Sequence, residues 1–216
     1  MSPRPLIIAI DGPSGAGKGT VARTLAARLG YTHVDTGAMY RAVAWMAGHK
    51  GVDLSDEDAV AVIADAAAFE LGPEIRVDGH DITKAIRTPE MDAAAGMVAR
   101  HPKVRQSLVR RQRAYAAQGG LVMEGRDIGT VVFPDADVKV FLDASADERA
   151  RRRAHDPAHT ASGQIEQVAT ALAERDRQDS TRKTSPLAMA GDAVRIDTTG
   201  MSVDQVVERV LTLVKP

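Results

Sequence analysis

No cysteine occurs among the 216 residues, which excludes disulfides, thiolate metal sites and a cysteine nucleophile and suits a reducing, cytoplasmic setting. Aromatic side chains make up only 3% of the chain, so a stacking platform for single-stranded nucleic acid has little to be built from. Net charge is almost absent. With 28 Lys and Arg against 29 Asp and Glu, no global positive field gathers nucleic acid or an anionic membrane, and any anionic ligand must be held by local clusters. Membrane-length apolar runs are missing too. Leu6-Ile7-Ile8-Ala9-Ile10 is far shorter than a span and lacks a following signal-cleavage pattern, so it reads as a buried strand. The length suits one α/β core with a smaller inserted subdomain.

What is present begins with a strand, a glycine-rich turn and a helix. After Asp11 and the turn, Val21, Leu25, Ala26 and Leu29 recur at helical spacing. Gly30 ends that helix, Tyr31 to Asp35 form a second short strand, and the opening is therefore a βαβ unit that implies a parallel sheet. A helix follows from about Ala38 to Gly48, and a shorter one from Glu57 to Ala68. The pattern then alternates through Glu70-Leu71, Ile75-Arg76-Val77 and His80-Asp81-Ile82, with Asp78-Gly79 as a hairpin signal. This marks an inserted antiparallel patch between about Gly51 and Pro89. Pro102 opens a helix carrying Val104, Leu108 and Tyr115, closed by Gly119-Gly120. Core strands are expected at Leu121-Val122-Met123, Val138 to Leu142 and Ala193 to Asp197, and Ser202 caps a final amphipathic helix through Val203, Val206, Val207, Val210 and Leu213.

The chemistry starts at Gly12-Pro13-Ser14-Gly15-Ala16-Gly17-Lys18-Gly19-Thr20. Up to Lys18 this is the spacing of a phosphate-binding loop, and it lies between strand and helix as such a loop must. Small residues let backbone N–H groups face one anion, the helix N-terminus adds positive potential, and Lys18 reaches the β- and γ-phosphates of a nucleoside triphosphate. Gly19 stands where the commonest form has a Mg²⁺-binding Ser or Thr, and the hydroxyl is displaced to Thr20. No protein metal ligand is assigned. Mg²⁺ is expected to be held mainly by phosphates and water.

Several charged residues occupy positions that call for a partner. Arg41 and Arg105 fall in or near the first turns of helices, where a cation opposes the macrodipole, and together they suggest an anion clamp. Lys84 and Arg87 read as surface cations. Between Ile165 and Arg182, the apolar stripe Ile165, Val168 and Leu172 continues as Arg175, Asp179 and Arg182, so the inward face turns charged. Arg126 and Asp127 follow a strand, at the end where open α/β sheets bind ligands. Arg149, Arg152 and Arg153 share a helix face beside the turn at His155-Asp156-Pro157, from which they can close over phosphates as a lid.

Taken together, Gly12 to Thr20, Asp35-Thr36-Gly37-Ala38-Met39-Tyr40-Arg41, the segment Gly125-Arg126-Asp127-Ile128-Gly129-Thr130-Val131-Val132-Phe133-Pro134-Asp135-Ala136, and Glu174-Arg175-Asp176 with Asp179 and Arg182 resemble the bacterial cytidylate kinases, which are P-loop nucleoside monophosphate kinases. The resemblance runs through nearly the whole chain. It implies a three-layer α/β P-loop kinase fold with a central parallel five-stranded sheet, forming a single domain over residues 1–216, with an inserted monophosphate-binding region near 38–100 and a short lid near 150–165. It implies ATP as donor and CMP or dCMP as acceptor, with Thr36, Arg105, Asp127 and Arg182 around the cytosine, Arg175 and Asp179 near the sugar, and Arg41 and Arg126 on the acceptor phosphate. Tyr40 joins this substrate-binding set, and Lys18, Arg41, Arg126 and Arg153 are the expected charge-neutralising catalytic groups. Gly96 departs from the pattern, since related enzymes can carry a serine there near the sugar. A cytoplasmic monomer acting on small molecules, with neither nucleic acid nor membrane as partner, is the resulting expectation. The alternatives are a kinase of the same class acting on UMP, AMP or shikimate, and a nucleotide-binding regulatory module that hydrolyses triphosphate slowly.

Overall fold

β1 (Ile7–Asp11), the strand expected from the first apolar run, lies at the centre of a five-stranded parallel sheet. The computed structural model describes residues 5–156 and 165–214. Around β1 the sheet adds β2 (Thr32–Asp35), β6 (Leu121–Gly125), β7 (Val138–Asp143) and β8 (Val194–Asp197), in the order β2-β6-β1-β7-β8. Both faces of this sheet are covered, so its inner strands are apolar almost throughout rather than alternating. On one side Ile8, Ile10, Val122, Val140 and Leu142 pack under α1 (Lys18–Leu29) and α8 (Val203–Leu211). On the other, Ala9, Val34, Leu121 and Met123 meet Ile128, Val132 and Val109. Ser202 and Gln205 form a reciprocal capping box at the start of α8, which fixes the helix expected there.

A second apolar cluster is built from the chain between β2 and β6. α2 (Thr36–His49), α3 (Glu57–Ala66), α4 (Pro89–Val98) and α5 (Pro102–Ala114) enclose residues from Ala38 to Leu108, together with Ile75 and Val77 of a small antiparallel sheet. That sheet comprises β3 (Phe69–Leu71), β4 (Ile75–Val77) and β5 (His80–Asp81). Asp78 and Gly79 both have positive φ, 48° and 79°, as a two-residue hairpin turn with the twist of its strands requires. α5 ends one residue before Tyr115, which starts a single 3₁₀ turn over Tyr115–Gln118. α6 (Ala146–Ala154) and α7 (Ile165–Thr181) pack together beside the sheet. The apolar stripe of α7 is buried only from Leu172 onward. Ile165 is 45% exposed, so the expected inward face begins two turns later than the spacing predicts. Half of the lid region expected at 150–165, residues 157–164, lies outside the described residues. Among the described residues, no helix is long and apolar enough to cross a membrane.

Candidate functional site

The C-terminal ends of β1, β2 and β6 open on one cleft of about 850 Å³, the usual position for ligands in such sheets. At one end lies the loop between β1 and α1. Gly12 has φ 148°, and any Cβ there would overlap the carbonyl oxygen of Leu142 in β7, so the loop sits directly on the neighbouring strand. Lys18 is 6% exposed and its Nζ donates to the Pro13 carbonyl at 2.7 Å. Burial, and then the charge of Arg126, lowers its pKa to about 7. Gly19 acquires a reason beyond the missing hydroxyl. A Cβ at this position would stand 3.0 Å from Oε1 of Glu124, so glycine lets α1 start against that buried carboxylate.

Arg126 links this loop to the rest of the cleft, donating to Ser14 Oγ at 2.7 Å and to Asp179 Oδ2 at 2.8 Å. Its own burial opposes the charged form, but Asp179, joined by Asp176 and Glu124, outweighs this and raises its pKa. For Asp179 burial likewise pushes upward, and Arg126 with Arg175 brings the net shift downward.

Arg41 and Arg105 have carboxylate partners, although α2 starts at Thr36 and so leaves Arg41 beyond the first turn expected for it. Asp35 caps α2 by accepting from the Ala38 N–H at 3.0 Å, and its other oxygen holds Arg41 at 2.9 Å. Its pKa is lowered despite burial, because Arg41 and that amide prevail. Arg105 pairs with Asp127 and lies over the Tyr40 ring, 5.5 Å from its centroid. Burial raises Tyr40 to about 12, so its hydroxyl stays neutral. Arg182 is 3.8 Å from the other oxygen of Asp127 and 3.6 Å from Asp179. Thr36 donates to the Glu124 carbonyl at 2.7 Å, next to Gly125.

Asp127 is held in place from below. Asp11, at the end of β1, accepts the N–H groups of Ile128 at 2.8 Å and Gly129 at 2.7 Å, starting the single π turn Ile128–Val132 that sequence reasoning missed. Burial lifts Asp11 to about 6 against those two hydrogen bonds.

Thr36, Tyr40, Arg41, Arg105, Arg126, Asp127, Arg175, Asp179 and Arg182 all line the cleft, as do Ser14 to Thr20 and Gly96. Gly12 and Pro13 support the loop without lining it. Of the four arginines of α6, the three expected to share a face, Arg149, Arg152 and Arg153, do not act as one. Arg149 is a correction: it donates to the Ser14 carbonyl at 3.0 Å, pairs with Asp176, and packs against Gly15 outside the cleft lining. Arg152 bonds Glu148 and both oxygens of Thr198, and Arg153 pairs with Asp92 of α4. Arg87 is a second correction, since it lines the cleft rather than the outer surface. Asp92 and Glu124 were not singled out from the sequence, because only the fold brings them to these cations.

Three cleft nitrogens, Arg41 Nε, Arg105 Nε and Arg182 Nη2, are buried without a hydrogen-bond acceptor. Buried donors rarely go without a partner, and a ligand or ordered water can complete them. The arrangement is a long cleft with a phosphate loop at one end and cations interleaved with carboxylates at the other.

A family model described as cytidylate kinase matches residues 8–216. The chain belongs to the cytidylate kinase family. The cytidylate kinase of Solibacter usitatus (strain Ellin6076) is 50% identical, the match covering 97% of this chain and 92% of that one. The cytidylate kinase of Geobacillus kaustophilus (strain HTA426) is 49% identical over 98% and 97%. A bifunctional pantoate ligase/cytidylate kinase of Prochlorococcus marinus (strain MIT 9303) is 48% identical across 99% of this chain and 45% of its own length. Among solved structures, a shikimate kinase from Acinetobacter baumannii superposes with TM-score 0.51 at 16% identity over 97% and 93% of the two chains. A gluconokinase from Sinorhizobium meliloti 1021 gives 0.51 at 15% over 97% and 91%. At those identities the likeness bears on the fold alone, and it agrees with the P-loop kinase architecture expected of this family.

Proposed function

We propose that the chain transfers the γ-phosphoryl group of ATP to CMP or dCMP, giving ADP and CDP or dCDP. Family membership supports the reaction class, and one observation carries the two-ligand reading. Buried guanidinium donors without acceptors stand in the same cleft as a phosphate loop. We read the loop end as the donor site, the inserted region near 38–100 as the acceptor-binding part, and α6 with the turn after it as the lid.

Cytosine recognition falls to the Asp127 end. A carboxylate there accepts from the exocyclic amine of cytosine and repels the oxygen that uracil presents, while Arg105, Arg182 and Thr36 complete the base pocket. Asp127 is 5% exposed and one of its oxygens is taken by Arg105, so a base that presents an oxygen to the carboxylate exchanges a buried hydrogen bond for a repulsive contact. Arg41 and Arg126 hold the acceptor phosphate, and Arg175 and Asp179 face the sugar. The nucleophile is a phosphate oxygen with a second pKa of about 6, largely ionised at neutrality, so no general base is required. Catalysis is in-line positioning and charge neutralisation by Lys18, Arg41, Arg126 and Arg153. Triphosphate draws Lys18 from the Pro13 carbonyl and restores its charge.

The donor set fits Mg²⁺ held mainly by phosphates and water. Residue 19 offers no hydroxyl, and among the described residues no three His, Asp or Glu side chains are grouped to bind a metal. Glu124, beside Gly19, is the carboxylate on hand for a water of such an ion. When bound, Mg²⁺ neutralises charge on the phosphates. A coupled ADP-release assay with ATP and Mg²⁺ tests the reading: release should depend on added CMP. Slow release independent of any monophosphate would favour a regulatory module instead.

A further inference from the structure

Asp92 stands in the first turn of α4, in the inserted region, with its carboxylate in the wall of the cleft. Three arginines from three different elements converge on it. Arg153 of α6 pairs with Oδ2, Arg175 of α7 lies 3.0 Å from Oδ1, and Arg41 of α2 lies 3.8 Å from the same oxygen. Asp35 holds Arg41 from its other side at 2.9 Å and Asp156 lies 4.0 Å from Arg153, so Asp92 is the one carboxylate that all three guanidinium groups share. Burial, opposed by Asp92, lowers the pKa values of both Arg153 and Arg175. An incoming phosphate dianion competes with Asp92 for these cations. A carboxylate and a phosphate cannot both sit among the same guanidinium groups without repelling each other, because a like charge several ångströms away in a partly buried site is screened far less than in water.

We propose that Asp92 is a resident anion that occupies the arginine cluster when no acceptor is bound and is displaced from it by the acceptor phosphate. The proposal rests on the reading given above, in which Arg41 holds the acceptor phosphate and Arg175 faces the adjoining sugar. Its consequence is a coupling between the two halves of the site. Asp92 ties Arg153, on the helix that leads to the lid, to the inserted region that receives the acceptor. Arrival of the acceptor phosphate frees Arg153 to turn toward the phosphoryl group in transfer. Asp92 thereby weakens acceptor binding and keeps a catalytic arginine parked until the acceptor is in place.

The test compares CMP with cytidine, which has the same base and sugar but no phosphate, by titration calorimetry on the full chain. In Asp92→Asn, a nearly isosteric neutral variant, CMP should bind about tenfold tighter, the scale of one relieved like-charge contact in a partly screened site. Cytidine affinity should not change. Asp92→Ala should tighten CMP in the same way, so a folding defect in one variant leaves the other decisive, and Asp92→Glu should restore the weaker wild-type affinity. Unchanged or weaker CMP binding in the folded neutral variants, or an equal shift for CMP and cytidine, would overturn the role of Asp92 alone. Wild-type protein that binds CMP no tighter than cytidine would remove the acceptor reading and the proposal with it.

Discussion

ATP binding should take up a proton at Lys18. In the free protein burial and the charge of Arg126 lower this lysine from 10.5 to about 7, so at pH 7.5 only about a quarter of it is charged. Phosphates placed against Nζ favour the ammonium form and return the pKa toward its ordinary value. About 0.75 proton should therefore be taken up per triphosphate bound at pH 7.5, rising toward one at pH 8.5 and falling below 0.2 at pH 6. The sign follows from the direction of the shift. Since the free site loses its proton above about pH 7, affinity falls with rising pH between that value and the ordinary lysine range, approaching tenfold per unit. Calorimetric titration of a nonhydrolysable ATP analogue, in buffers of different ionisation enthalpy, counts the protons directly. Subtracting the same measurement on Lys18→Met isolates Lys18 from protons released by the ligand. An uptake equal in wild type and variant would refute the assignment of Lys18 as the buried, depressed cation of the donor site.

The Lys18→Met variant should also lose at least about a thousandfold in kcat, a few kcal/mol of transition-state stabilisation. Its melting temperature should be retained, because a buried amine is replaced by an apolar chain; near-normal turnover in the folded variant would contradict the mechanism. Asp11→Ala leaves the buried N–H groups of Ile128 and Gly129 without their acceptor, so denaturant unfolding should show a loss of about 2–4 kcal/mol. Steady-state kinetics of the same variant should show a larger rise in KM for CMP than for ATP, since Asp11 sets the segment that carries Asp127. A Cβ added at Gly96 has only Gln178 Oε1 nearby, at 4.0 Å. Gly96→Ser should thus fold normally by melting and raise the kcat/KM ratio of CMP over dCMP, and an unchanged ratio would detach residue 96 from the sugar.

Local chemistry made much of this readable in advance. The phosphate loop is written in consecutive residues, the Asp78-Gly79 turn needs only two, and the Ser202 cap three more. Each is decided by backbone sterics or by hydrogen bonds within a few positions. Partners distant in sequence were not readable. Arg153 and Asp92 are 61 residues apart, Arg126 and Asp179 53, and Asp11 and Gly129 118. Nothing in the helical spacing of Arg149, Arg152 and Arg153 distinguishes an arginine that braces the back of the phosphate loop from one that reaches α4. Only the packing of α6 against the loop and α7 separates them. Arg87 was misread for the same reason, and Gly19 was explained only in part until Glu124 appeared beside it.

The central claim is that one cleft holds two nucleotides and reads cytosine at Asp127. The most direct measurement is the coupled ADP-release rate with CMP, dCMP, UMP and AMP as acceptors, in wild type and in Asp127→Asn. CMP and dCMP should exceed UMP and AMP in kcat/KM by well over about tenfold, the scale expected when a buried hydrogen bond to the base is exchanged for a repulsive contact, and the variant should lose most of the preference for CMP over UMP. Equal efficiency with CMP and UMP in the wild type would contradict the account.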